Sequence, residues 1–124
     1  MSIDAIVLAV AAVVFCGVGA QGLFLPHRII NPLEQKLESV PLKNEIRANY
    51  GGMHFAMAAL MVVAILKPVY LSAGMALLFA FTTGLVVGRI YSMIADGIPN
   101  RFVRFFTGVE AVGAIAAGIL LFRS

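Results

Sequence analysis

Four long apolar segments fill most of this sequence, and they restrict the fold more than any other feature. They cover residues 3–25, 42–66, 70–94 and 102–122, and each has at least the roughly 20 residues that a helix needs to cross a bilayer core. Inside lipid a chain must satisfy its own backbone hydrogen bonds, so irregular segments and open strand edges cannot face the lipid. The sequence therefore predicts an all-α fold, a four-helix transmembrane bundle that forms one integral membrane domain, residues 1–124.

Composition agrees with this and excludes several function classes. Hydrophobic residues make up 61% of the chain and charged residues 12%, against roughly 45–50% and 25% in soluble domains. The net charge of +3 comes from basic residues scattered near the segment ends, not from the continuous basic surface that nucleic-acid binding requires. Cys16 is the only cysteine, and no second histidine or cysteine lies at ligand spacing from His54. We therefore expect no nucleic-acid partner, no disulfide, no metal site and no cofactor.

The connections between the segments differ in length. About three residues join the second and third segments and about six join the third and fourth, so both pairs should form antiparallel hairpins. In the longer first connection, residues 26–41, Asn31 falls at an N-cap position, Pro32 at the first helical position and Glu34 at the third. Apolar residues recur from Leu33 at helical spacing. This pattern predicts a short amphipathic helix at the membrane interface.

The basic residues also suggest an orientation. We call the end of the bundle that holds both termini side A, and the end that holds the first and third connections side B. Side A carries Lys67 and Arg123, whereas side B carries four basic residues, Arg28, Lys36, Lys43 and Arg101. Because cytoplasmic loops are enriched in Lys and Arg, we expect side B to be cytoplasmic and both termini to be periplasmic in a bacterial inner membrane.

Glu110 is the one carboxylate inside the fourth segment, with no other charge until Arg123. A charge at the centre of a membrane helix costs roughly 2.5–3.5 kcal/mol even on permissive scales. Moving the helix start to Val109 would leave too few residues to span. Some group inside the protein should therefore pair with Glu110.

Counting from side B gives candidates for that group. Glu110, Arg89 and His54 lie on three different segments, each roughly 10–13 Å from side B at 1.5 Å per residue. The simplest assembly is an Arg89–Glu110 ion pair, since a guanidinium can hold a carboxylate with two parallel hydrogen bonds. His54 and Tyr50 would flank the pair, and Gln21 could join from the first segment.

Plainer interpretations stand beside this one. Arg47, Tyr50 and His54 share one helical face, yet Arg47 could instead be an interfacial anchor and His54 could simply bond a neighbouring carbonyl. Arg89 could extend its side chain toward side B, and an Arg89–Glu110 pair could be purely structural. The Gly84–Gly88 GxxxG pattern suits packing inside the bundle better than dimerisation, and other glycines also indicate close helix contacts.

Three short motifs carry a family resemblance. They read N-E-I-R-A-N-Y-G-G-M at 44–53, G-R-I-Y-S at 88–92 and D-G-I-P at 96–99, followed by Glu110. The chain resembles the small bacterial four-helix membrane proteins of the domain of unknown function 4345 family, and more distantly the DoxX-like tetraspans. The resemblance implies a set of signature residues that does not include His54, namely Glu45, Arg47, Tyr50, Gly51, Gly52, Gly88, Arg89, Gly97, Pro99 and Glu110. It implies no reaction, substrate or cofactor.

These observations lead to three functional hypotheses. The first is a module that binds a small lipid-like or amphipathic ligand through Arg47, Tyr50, His54, Arg89 and Glu110, because bundle cores with a few convergent polar groups are typical ligand sites. The alternative is a structural or accessory subunit of a larger membrane complex, with a membrane protein as partner. A membrane enzyme or proton-coupled carrier is the third, and we name no catalytic residue because no nucleophile–base motif is visible.

Overall fold

The computed structural model describes residues 1–123, and within them the chain forms helices and no strands. Four helices are long and apolar enough to cross a membrane. They are the first helix, Ile3–Phe24, the second, Val40–Leu66, the third, Leu71–Asp96, and the fourth, Arg101–Phe122. A short 3₁₀ turn, Pro68–Tyr70, precedes the third helix. The predicted all-α four-helix fold is confirmed.

Side-chain caps explain where three of these helices begin. Ser2, Ser39 and Asn100 each accept a hydrogen bond from the backbone N–H three residues later, at 3.1–3.2 Å. Such caps satisfy amide groups that have no partner within the helix. The cap at Ser39 lets the second helix begin at Val40, two residues before the predicted start of the span, although Val40, Pro41 and Lys43 in its first turn are exposed.

The amphipathic helix predicted in the first connection is not confirmed. The chain forms a short helix, His27–Ile30, and a 3₁₀ turn, Asn31–Leu33, and then Glu34 takes a left-handed conformation with φ of 64°. Residues 35–39 are irregular. A helix this short is marginal without tertiary support, and the support here favours the turn, because Asn100 Nδ2 donates to the carbonyl of Pro32 at 2.8 Å.

The first and second helices approach most closely near side B, through glycines. A Cβ atom added to Gly51 would lie 2.8 Å from the backbone nitrogen of Leu23, and one added to Gly22 would collide with the carbonyl of Tyr50. Only residues without a side chain permit this contact between backbones. Toward side A the first three helices share a packed core around Leu8, Met61 and Met75.

The Gly84–Gly88 pattern behaves differently. A Cβ atom added to either glycine would have no neighbouring atom within 4 Å. The expectation that this pair packs inside the bundle is therefore wrong, and these two glycines leave a shallow outer face on the third helix.

The fourth helix is the least enclosed of the four. It packs mainly against the third helix, as expected for hairpin neighbours, and few of its residues are buried. Its far end meets the first helix at side A, where Arg123 Nη2 lies 2.7 Å from Asp4 Oδ1. Between that ion pair and side B the first and fourth helices stand apart, and this separation makes room for the cavities described next.

Candidate ligand-binding site

Arg89 and Glu110 form the predicted ion pair between the third and fourth helices. Arg89 Nε lies 2.5 Å from Glu110 Oε2, and Arg89 Nη2 lies 2.7 Å from Glu110 Oε1. The two parallel bonds match the planar fork of guanidinium to the carboxylate. The Arg89 side chain is 26% exposed and that of Glu110 is 12% exposed, so Arg89 points to its partner and does not extend to side B.

His54 forms a hydrogen bond to a neighbouring carbonyl, as the plainer interpretation of this residue predicts. Its Nδ1 lies 2.8 Å from the carbonyl oxygen of Asn49, and because that oxygen only accepts, Nδ1 carries the proton. Nε2 takes no part in this bond and has no other hydrogen-bond partner within residues 1–123. In this part of the chain every fully buried side-chain nitrogen or oxygen has a partner. Nε2 is therefore not fully buried and keeps some accessible surface.

Three aromatic rings enclose the imidazole. The Tyr50 ring is stacked on it, with centroids 5.7 Å apart and 14° between the planes. The rings of Phe15 and Phe81 lie 5.3 and 5.5 Å away, from the first and third helices. This enclosure fixes the ring plane, so the direction in which Nε2 points is set by packing and not by solvent.

A wide helical turn lies directly before His54. Residues Arg47–Gly52 form a π-helical turn, and the N–H of Met53 bonds the carbonyl of Ala48, five residues earlier. Single π turns inside α-helices recur at functional sites. The same five-residue separation relates His54 to the carbonyl of Asn49, so the wide turn and the imidazole bond belong to one local arrangement.

Two cavities meet at the Arg89–Glu110 and His54 layer. One, of about 350 Å³, lies between the first, third and fourth helices and is lined almost entirely by apolar side chains. The other, of about 660 Å³, lies on side B and is richer in polar groups. Six residues line both: Val18, His54, Phe81, Leu85, Phe106 and Glu110. We call them the apolar cavity and the side-B cavity.

Four of the five predicted site residues come together here. Tyr50, His54, Arg89 and Glu110 all line the side-B cavity, as does Gln21. Arg47 lines neither cavity. Its Nη1 donates to the carbonyl of Leu23 at the end of the first helix, where a cation also interacts favourably with the helix dipole.

Five further residues belong to the site but are not among the predicted site residues. Arg28, Glu45 and Asn49 line the side-B cavity, and Phe15 and Phe81 pack on His54. Of these, Glu45 is named from the sequence only as a signature residue of the family. Arg28 sits in the short helix after the first span, a position that sequence counting treats only as a topology signal. The phenylalanines carry no signal at all in an apolar segment, since only the packing of three helices gives them a common neighbour.

Comparison with known proteins gives one match. A family model described as "Domain of unknown function (DUF4345)" matches residues 3–121, a range that contains every residue of this site. No curated protein and no solved structure matches the chain. The wider similarity to DoxX-like tetraspans stays a prediction.

The pair itself can be tested by a double-mutant cycle. Removing one partner leaves the other charge buried alone, so Arg89→Gln and Glu110→Gln should each lower the free energy of unfolding by about 3 kcal/mol. The double variant should lose clearly less than the sum, because it leaves no isolated charge. Unfolding in mixed detergent micelles, followed by circular dichroism, measures both quantities.

The Asp4–Arg123 pair provides the matched control. Its arginine is half exposed, so Asp4→Asn should cost about 1 kcal/mol or less. Strictly additive losses in the Arg89→Gln and Glu110→Gln double variant would show that the two groups do not stabilise each other.

Proposed function

This chain belongs to the DUF4345 family, and we propose that it binds a small amphipathic or lipid-like molecule within its four-helix bundle. The observation that supports this most is the meeting of an apolar cavity and a polar cavity at one layer of charged and aromatic side chains. Ligand sites are typically concave and mostly apolar, with a few convergent polar groups that fix orientation. An amphipathic molecule likewise has an apolar part and a polar part, one for each cavity.

The cavity sizes suit such a ligand. Both volumes fall within the roughly 300–1,000 Å³ range of small-molecule sites. A water molecule takes up about 30 Å³ of liquid, and a methylene group is of similar size. The apolar cavity of about 350 Å³ therefore has room for roughly a dozen methylene groups.

The polar layer can bond a head group without losing its own ion pair. Glu110 occupies Nε and Nη2 of Arg89, so Nη1 is not used by this pair and Arg89 still lines the side-B cavity. His54 Nε2 adds a second group that can accept or, when protonated, donate. A ligand that satisfies these atoms would complete the layer, whereas a hydrocarbon in the same place would leave them unsatisfied.

The membrane position of the site forms part of the proposal. Four helices of spanning length and apolarity fit a multi-pass protein, and the excess of Lys and Arg on side B favours a cytoplasmic side B in a bacterial inner membrane. The ligand head group would then lie nearer the cytoplasmic leaflet.

A phosphatase fused after the fourth helix should be active, because that end would be periplasmic. An inactive fusion that is nevertheless expressed would show that the orientation is the reverse.

A second candidate function rests on a different observation. Gly84 and Gly88 have no neighbours within 4 Å of an added Cβ atom, and small residues four apart let a second helix approach closely in lipid. An accessory subunit of a larger membrane complex would use this face of the third helix for its partner.

The binding proposal predicts a loss of bound molecules when the layer is altered. Glu110→Gln removes the charge that holds Arg89, so the amount of amphipathic molecule that co-purifies per mole of folded protein should fall about tenfold, the loss of one charge-assisted hydrogen bond. Mass spectrometry of the monodisperse fraction measures this amount. Asp4→Asn, the same kind of change at the other ion pair, should leave it unaltered, and an equal amount in Glu110→Gln would contradict the proposal.

The accessory-subunit candidate predicts a complex that depends on the outer glycines. Gly84→Leu or Gly88→Leu should abolish a larger assembly seen by sizing of the native membrane extract, because leucine separates the helix backbones. Gly108→Leu, which also introduces a side chain into open space but on the fourth helix, is the control. A lone monomer that none of the three changes affects would argue against this candidate.

A further inference from the structure

The apolar cavity opens sideways, toward the lipid that surrounds the bundle. Its lining includes residues of the first and fourth helices that are also exposed on the outer surface, among them Val10, which is 61% exposed, and Val112, which is 69% exposed. A residue that both lines a cavity and faces outward marks the rim of an opening. We call this gap between the two helices, with Val14 and Val109 on the same rim, the lateral opening.

The opening is bounded at one end, and at the other end the apolar cavity reaches the polar layer. At side A the Asp4–Arg123 pair joins the first and fourth helices. From there the apolar cavity continues to Glu110 and His54, where the side-B cavity begins. The third helix forms the opposite wall, with Phe81 and Leu85 facing both cavities, and the second helix reaches the apolar cavity only at His54.

The chemistry of the rim suits an alkyl chain. The four rim residues named above are valines, so a hydrocarbon chain would pass them without removing water from any polar group. The apolar cavity has room for roughly a dozen methylene groups, enough for one chain. Both chains of a two-chain phospholipid would not fit in the cavity together, so the second chain would have to remain in the lateral opening.

Resting on the proposed function, we infer that the ligand is a single-chain amphiphile that reaches the site sideways from the bilayer, between the first and fourth helices. Its chain lies in the apolar cavity and its head group in the side-B cavity. Exchange with the membrane then requires no route through water at either end of the bundle.

A reversible staple across the lateral opening tests the route. In a Cys16→Ser background, which removes the exposed native thiol, Val10→Cys and Val112→Cys would be joined by a bismaleimide linker that contains a disulfide. The probe is dodecanoate with a photoreactive diazirine at its methyl end, added to protein in lipid nanodiscs. Peptide mass spectrometry measures the rate at which Leu78, a buried residue of the cavity lining, becomes labelled.

The stapled protein should label Leu78 at least tenfold more slowly than the unstapled protein, and reduction of the linker should restore the rate. The same linker attached to Val10→Cys alone is the control for added bulk. Monododecanoyl phosphatidylglycerol should compete with the probe, as unlabelled dodecanoate does, whereas didodecanoyl phosphatidylglycerol, which has the same head group and a second chain, should not.

The other outcomes distinguish a failure of this inference from a failure of the proposed binding function. Labelling of Leu78 at the same rate with and without the staple would overturn the lateral route and leave binding intact. Equal competition by the two-chain lipid would overturn the single-chain assignment alone. If Leu78 is not labelled even without the staple, while molecules that depend on Glu110 still co-purify, the cavity assignment is wrong; if neither occurs, the proposed function fails as well.

Discussion

The Arg89–Glu110 ion pair is the interaction on which the interior of this bundle depends. A carboxylate in the middle of an apolar helix is costly, and the two hydrogen bonds at 2.5 and 2.7 Å convert it into part of a neutral unit. Removing one member of a buried ion pair costs far more stability than replacing the whole pair with apolar residues. The pair therefore fixes the register of the third and fourth helices and places a polar layer at the point where two cavities meet.

A tight contact on one side of the bundle complements the open space on the other. Gly22 and Gly51 bring the first and second helices into backbone contact, and Arg47 ties the two together through the carbonyl of Leu23. Tyr50 in the π-helical turn beside this contact, and His54 just after it, both line the side-B cavity. The first helix thus packs closely on the second, and between side A and the polar layer the lateral opening separates it from the fourth.

The sequence was sufficient for the fold and for the ion pair, for a physical reason. Helices of spanning length follow from apolar length alone, and a fixed rise per residue puts Arg89, Glu110 and His54 at one level whatever the packing of the helices. It failed wherever tertiary contacts override local pattern. Asn100 favours a turn at Pro32 over the predicted amphipathic helix, and Arg47 shares a helical face with Tyr50 only if the turn between them is α-helical.

Lipid changes how the proposed site would achieve affinity. In water an alkyl chain gains about 0.8 kcal/mol per methylene on burial, but lipid tails are as apolar as leucine side chains, so a chain that moves from the bilayer into the apolar cavity gains little of this. The free energy of binding must then come mainly from the head group at Arg89, Glu110 and His54, where unsatisfied polar atoms gain partners. The apolar cavity would hold the chain, and the polar layer would supply the affinity. Head-group chemistry, and not hydrophobicity, should therefore rank the ligands of the proposed site.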